Sequence, residues 1–446
     1  MKRRVAQRKA PKEPVVQEAA IPAVVVTPLT DIPASVAEPE AMEKATKKGT
    51  KAKTPKKAAK KEKKGKKKDE PVAPPTLTER LAKRLGKSVQ ITELRDVQTP
   101  FATRRGTGIT SMDIDLGGGL PAGSLHQVFG PEGAGKDYLT NLMIAELQRI
   151  YGEDTKVAWL SFGYWPDRSH FKLAGVDENV GHLDVIHLGD GDMALEAPTE
   201  ALLESILEVI REGSYQLVVL NEVASGETKD DMAKQLGVNR KMANLATLIS
   251  QFCQKFYSAI REKDVDGNPN ATTLVVILPA RANMDANTSK WQPYSQTAGH
   301  ALKHAKAVDI ELMPGGFVNV ERVVVGGKKK KTHVGKMIRW HIRKGKHGIS
   351  EGAEGVLNFI FHRGIDLELD LLNSGMAYGT ITRGGSSYTL VNREESITGK
   401  QNVVKLLRED VALRTELKEL TILAALKTKG TYDEAADPDK ADKDND

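Results

Sequence analysis

The stretch LHQVFGPEGAGKDYLTNLMIAELQRIY, residues 125–151, constrains the fold more than any other part of the chain. A run of strand length, 125–129, leads into G-x-x-x-x-G-K, and a helical pattern follows over 138–151. A glycine-rich turn between a buried strand and a helix lets main-chain N–H groups close around phosphate oxygens, and the helix N-terminus adds partial positive charge. This context points to nucleotide binding, with a purely structural turn as the rival. The site would comprise Gly130, Pro131, Glu132, Gly133, Ala134, Gly135 and Lys136, whose ammonium would reach the outer phosphates. The next position calls for a Ser or Thr hydroxyl and holds Asp137.

Downstream the pattern alternates. Strands are expected at 156–162, 216–220 and 272–278, and helices at 196–213 and 242–261. Strands that are nearly all apolar and separated by helices make a mostly parallel sheet covered on both faces, which is an α/β fold. Over 321–391 the character changes: strands around 321–325, 337–342 and 356–361 suit an antiparallel extension of the sheet. An amphipathic helix is expected at 77–85, started by Thr76 or Thr78.

The formal charge is +7, but residues 1–70 carry 20 Lys and Arg against 9 Asp and Glu, so the remainder is slightly acidic. The first 75 residues are too poor in apolar side chains to offset their chain entropy by burial, and disorder is expected there. The cluster KKGTKAKTPKKAAKKEKKGKKK, residues 47–68, is a polycation of the kind that attracts phosphate backbones without reading sequence; a solubilising tail is the plainer reading. The end, 431–446, holds seven carboxylates against two lysines and is also expected to be disordered. One cysteine, Cys253, excludes an internal disulfide and a Cys-based zinc site. Apolar runs are of strand length, so no membrane span and a cytoplasmic location are expected.

Several segments, in order, resemble the RecA family of DNA-strand-exchange recombinases, from roughly residue 77 to 427. TGITSMDIDLGGGLPAGSLHQVFGPEGAGK is similar to the family's approach to its phosphate loop. GHALKHAKAVDIEL, residues 299–312, resembles the segment that leaves the second DNA-binding loop, and GIDLELDLLNSGMAYGTITRGGSSYTL resembles the start of the C-terminal lobe. In RKGKHG, Lys344 and Lys346 match the paired lysines that reach across a subunit boundary to the neighbour's nucleotide. The resemblance implies a RecA-like core, ATP and Mg²⁺ as cofactors, and a homo-oligomeric filament on single-stranded DNA that pairs it with double-stranded DNA. With the tails read from composition, the expected division is 1–75 disordered basic tail, 76–105 N-terminal helix and oligomerisation arm, 106–373 RecA-like nucleotide- and DNA-binding core, 374–430 small α/β lobe, and 431–446 disordered acidic tail. The DNA-facing loops would fall near 225–238 and 283–298. Lys290, Trp291 and Tyr294 in the second would neutralise backbone and stack on bases, with a packing anchor as the plainer role for the Trp. Lys303 would lie near the DNA path or else on a solvated helix face.

Four departures concern hydrolysis. Asp137 stands for the metal-binding hydroxyl, Asn221 for the acid ending its strand, Gly163 for the water-activating glutamate and Ala280 for the sensor glutamine. Carboxylate Asp137 plus amide Asn221 still offer hard oxygens to Mg²⁺. Without a metal, Asp137 would repel phosphate by about 4 kcal/mol at 4 Å and an effective dielectric of 20, so a sharp Mg²⁺ requirement is expected. Glu222 is the one substitute base, an ordinary strand-end carboxylate being its alternative. Two functions follow: an ATP-switched recombinase, or a non-hydrolysing DNA-coating relative; a DNA-condensing protein that relies on its basic tail is a third.

Overall fold

In a computed structural model of the protein, the described residues are 97–430 except 163–165, 187–198, 233–241, 265, 283–293, 297–298, 324–328 and 394, together with Arg80, Lys83, Arg84 and Leu94. The chain divides into Met1–Gly86 and Lys87–Asp446. In the first unit Arg80, Lys83 and Arg84 are helical, as expected, and the rest of the 77–85 helix lies outside the described residues.

The second unit opens with β1 (Arg104–Arg105), α1 (Thr110–Asp115) and β2 (Leu120–Pro121). It continues as β3 (Leu125–Gly130), α2 (Lys136–Tyr151), β4 (Lys156–Ser161), α3 (Arg168–Leu173), β5 (His182–Ile186), α4 (Thr199–Glu212), β6 (Leu217–Asn221), α5 (Lys229–Met232), α6 (Met242–Ala259), β7 (Thr273–Ala282), β8 (Tyr294–Gln296) and α7 (Gly299–Ala305). A meander follows: β9 (Val308–Val323), β10 (Lys329–Gly345), β11 (Glu354–Ile360) and β12 (Gly364–Ile365). The lobe is α8 (Leu367–Ala377), β13 (Ile381–Gly384), β14 (Ser387–Leu390), β15 (Ile397–Thr398), α9 (Lys400–Glu409) and α10 (Val411–Thr428).

The main sheet runs β12-β11-β10-β9-β3-β7-β6-β4-β5, with β8 added on β7. The pairs from β9 through β3, β7, β6 and β4 to β5 are parallel, and those from β9 to β12 are antiparallel. Side chains alternate between the faces, as the two-residue period requires. Val128, Val157, Val219, Val275 and Ile277 pack under α2 and α3 on one face, while Phe129, Ala158, Leu160, Val218, Leu220 and Val276 pack under α4, α6 and α7 on the other. Each such large side chain, fully buried, contributes about 1.5–3 kcal/mol, and burial on both faces is what excludes water from the sheet's hydrogen bonds.

The expected strands and helices recur with shifts at their ends, but the strand expected around 321–325 begins much earlier. β9 starts at Val308, where Val308, Ile310 and Leu312 bury one side while Asp309 and Glu311 occupy the other; it pairs with β3 only over 308–311 but with β10 from Val308 to Val323. β5 escaped notice because it is an edge strand, HLDVI, with no residue fully buried.

The lobe has its own core, built on Leu371, Leu372, Ile381, Tyr388, Leu390, Val403, Leu407 and Leu417. It is fastened to α1 and α2 by charge. Lys418 of α10 lies 3.3 Å from Asp113 and 2.8 Å from Glu146, with all three side chains largely buried. Asp113 also accepts from the Thr107 amide at 2.6 Å and hydroxyl at 2.7 Å, and Asp370 of α8 accepts from the Ser111 amide at 3.0 Å.

Candidate functional site

In open parallel sheets ligands bind beyond the carboxyl ends of the strands, and the structure brings together there what the sequence proposed for phosphate. β3 ends at Gly130, the loop turns through Gly133 and Gly135, both with positive φ (68° and 89°), and α2 begins at Lys136. The loop closes through the Ala134 amide, which donates to Pro131 O at 3.3 Å. A side chain at Gly130 would start 2.1 Å from the Leu312 carbonyl, so neighbouring β9 admits only glycine there. Gly130→Ala is expected to cost about 1–3 kcal/mol by overpacking, read as a lower urea midpoint at unchanged m-value.

Lys136 is 8% exposed, and its Nζ donates to Pro131 O at 3.1 Å. Burial draws its ammonium below the ordinary value, while Asp137, Glu222 and Glu132 pull the other way. Those three carboxylates therefore share the field of one cation. Asp137 lies in the first turn of α2, and Asn221, buried at the end of β6, pairs in register with Ser161 of β4 and Ile277 of β7. Glu222 leaves that strand with φ 56° and ψ 43°, a left-handed conformation unusual for a residue with a side chain, and its amide donates to Ile277 O at 3.1 Å. Holding it there costs on the order of 1–3 kcal/mol, a kind of strain that concentrates at functional sites. Ala280 lies within β7, opposite Gln296 of β8, and Gly163 lies outside the described residues.

The donor set suits a nucleoside polyphosphate: a cradle that a Cβ would disturb, a buried ammonium and a helix N-terminus. For Mg²⁺ the carboxylate of Asp137 and the amide of Asn221 would offer two hard oxygens, the usual protein share for that ion. Among the described residues no cluster of three or more His, Cys, Asp or Glu forms a metal site.

Nothing in the sequence marks Lys336, which stands 203 positions from Gly133 in an ordinary strand pattern. β10 passes over the loop's outer side: Lys336 donates its ammonium to the Gly133 carbonyl, and Ile338 Cδ1 packs where a Gly135 side chain would begin. Lys336 sits opposite Phe359 of β11, 5.6 Å from the ring centroid, and that ring meets Tyr138 of α2 edge-on at 5.1 Å. The Tyr138 hydroxyl donates to Leu173 O at 3.2 Å and accepts from the Ile365 amide at 3.3 Å, fixing the first turn of α2.

Lys344 and Lys346 are not at this chain's own loop. The Lys344 ammonium donates to Lys303 O at 2.7 Å and His304 O at 3.4 Å, and Lys346 donates to His304 O at 3.4 Å, so the pair caps the C-terminus of α7, where cations are favoured. Lys303 is exposed on α7. Tyr294 opens β8 opposite Ala282 and is partly buried. Lys290 and Trp291 lie outside the described residues.

The model of the RecA N-terminal domain matches residues 76–365. Relatives called Protein RecA include those of Bordetella avium (strain 197N), 28% identical over 313 residues, covering 70% of this chain and 79% of the relative, and of Francisella tularensis subsp. tularensis (strain WY96-3418), 27% over 335 residues, covering 75% and 84%. The protein of Rickettsia bellii (strain RML369-C) is 26% identical over 315 residues, covering 70% and 82%. With a G-x-x-x-x-G-K loop at the carboxyl edge of a parallel sheet and a family match across well over half its length, the chain belongs to the RecA family.

Proposed function

We propose that this protein is a recombination protein that binds ATP with Mg²⁺ at the Gly130–Lys136 loop and coats single-stranded DNA as a nucleotide-dependent homo-oligomeric filament, promoting homologous pairing with double-stranded DNA. The observation that carries this reading is the intact phosphate cradle inside a family match that runs from 76 to 365. Lys136 and the loop amides would hold the phosphates, with Asp137 and Asn221 as oxygen ligands to the ion. Lys344 and Lys346, which donate to main-chain carbonyls in a single copy, would exchange those partners for the neighbour's nucleotide. Lys290, Trp291, Tyr294 and Lys303 would face DNA, and the basic 1–75 segment would add sequence-independent affinity. Among the described residues no helix is long and apolar enough to cross a membrane.

Glu222 is the proposed water-activating base. Its place beside Lys136 and its left-handed backbone support the assignment. Phosphate release from ATP, measured with and without single-stranded DNA, tests the reading: DNA-stimulated turnover is expected, lowered about a hundredfold to ten thousandfold by Glu222→Gln. Unchanged turnover in that variant ends the assignment of the base. The substitutions at Asp137 and Ala280 favour a second reading, a filament that binds ATP and DNA without hydrolysis; nucleotide-dependent DNA binding with no turnover selects it.

A further inference from the structure

Among the described residues two ammonium groups touch the loop; one already stands among carboxylates and the other does not. Lys136 stands in the field of Asp137, Glu222 and Glu132. Lys336, on the loop's outer side, has a neutral carbonyl and an aromatic face as its neighbours: it donates to Gly133 O, lies 3.7 Å from the point where a Gly133 side chain would begin, and is 5.6 Å from the Phe359 ring centroid. Burial draws this ammonium below its ordinary value, and no carboxylate among the described residues offsets that. A partly desolvated cation without a counter-charge is costly, and an incoming anion relieves the cost.

The charge balance of the loop gives that cation a task. Where a neutral hydroxyl is expected after Lys136, Asp137 adds a negative charge beside the phosphates. Coulomb repulsion at that range is large enough to weaken a polyphosphate by orders of magnitude unless a positive charge is added nearby. Lys336 brings one from β10, and it is held in place by its cross-strand partner Phe359.

Resting on the nucleotide-binding reading given above, we infer that Lys336 is a second cation of the phosphate site, which with Lys136 grips the polyphosphate tail and offsets Asp137 so that binding persists without a divalent ion. The Gly133 carbonyl is its parking place in the empty loop. The preferred ligand class is a nucleoside polyphosphate, bound the more tightly the more charge it carries, and the sharp Mg²⁺ requirement that Asp137 alone suggests is replaced by a mild one.

The experiment is calorimetric titration of the full chain with ATP, ADP and AMP, in Mg²⁺ and in EDTA. ATP affinity in EDTA is expected within about tenfold of that in Mg²⁺. Lys336→Gln keeps an N–H donor for Gly133 but not the charge; it is expected to weaken ATP by about thirtyfold or more in EDTA, ADP by less, and AMP by under about threefold. Lys336→Arg, which keeps the charge, should recover ATP to within about fivefold of the parent. Equal losses for all three nucleotides would mark a role in loop shape alone and overturn the inference, as would losses under threefold for all of them. If the unaltered chain binds ATP in neither buffer, the nucleotide reading itself falls, and this inference with it; if it binds and Lys336→Gln binds equally well, only this inference falls.

Discussion

Lys136→Ala is expected to lower ATP affinity by at least about a hundredfold and to remove nucleotide-dependent DNA binding with it. A charge-assisted bond to phosphate contributes about 1.5–3 kcal/mol, and each tenfold in affinity corresponds to about 1.4 kcal/mol. Here the loss is larger than the bond alone, because Asp137, Glu222 and Glu132 all raise the pKa of this one ammonium and would repel phosphate once it is gone. The variant should fold, since the Lys136 side chain's hydrogen bond goes to Pro131 O within its own loop. Titration of ATP and of ATP-dependent binding to a labelled single-stranded oligonucleotide checks both halves. Affinity within about threefold of the parent in such a titration would mean that the loop does not hold phosphate.

Lys418→Met is the substitution expected to harm stability most. It removes the cation between Asp113 and Glu146 and leaves Asp113 buried beside a Glu146 that keeps only Arg149, and breaking a buried pair in this way costs about 3–5 kcal/mol. Burial alone would lift Glu146 and lower Lys418, yet Lys418 together with Arg149 holds Glu146 below its ordinary value, and Asp113 together with Glu146 holds Lys418 above its own. Asp113 goes the other way, because its complete burial outweighs the ammonium 3.3 Å off. A depressed Glu146 contributes stability above its unfolded pKa that is lost as pH falls through its folded one. A raised Lys418 contributes below its unfolded pKa and loses that contribution as pH rises through its folded one. Asp113, raised, subtracts stability once the pH exceeds its ordinary value. Urea unfolding across pH should therefore show the Lys418→Met deficit largest near neutrality and shrinking in acid, as both carboxylates take up protons. A deficit independent of pH would assign the loss to packing instead.

How far the sequence could be read depended on how local each signal is. The glycine-rich loop was legible because strand, glycines, lysine and helix follow one another within 125–151, and the central strands β4, β6 and β7 were legible because burial on both faces makes them nearly all apolar. The lobe fastening was not, since Asp113, Glu146 and Lys418 come from α1, α2 and α10 and no spacing connects them. Lys336 was missed for the same reason. The left-handed backbone of Glu222 has no signature either, because glycine or asparagine is what normally advertises such a turn. The parallel part of β9 was hidden by its interleaved acids: Asp309 is buried against Lys306 at 2.5 Å, so a polar letter stood at a core position.

β10 acts as a ruler between two charged stations. Eight residue steps separate Lys336, which reaches the glycine-rich loop, from Lys344, which reaches the end of α7, roughly 26 Å of extended chain. Irregular steps in its pairing with β9 fall just after Lys336 and just before Lys344, which tunes the spacing and the direction of each side chain. Deleting one residue between them would turn one station to the opposite face. Length changes tolerated during the divergence of such proteins should therefore gather between β9 and β10, ahead of Lys329, never along this measured span.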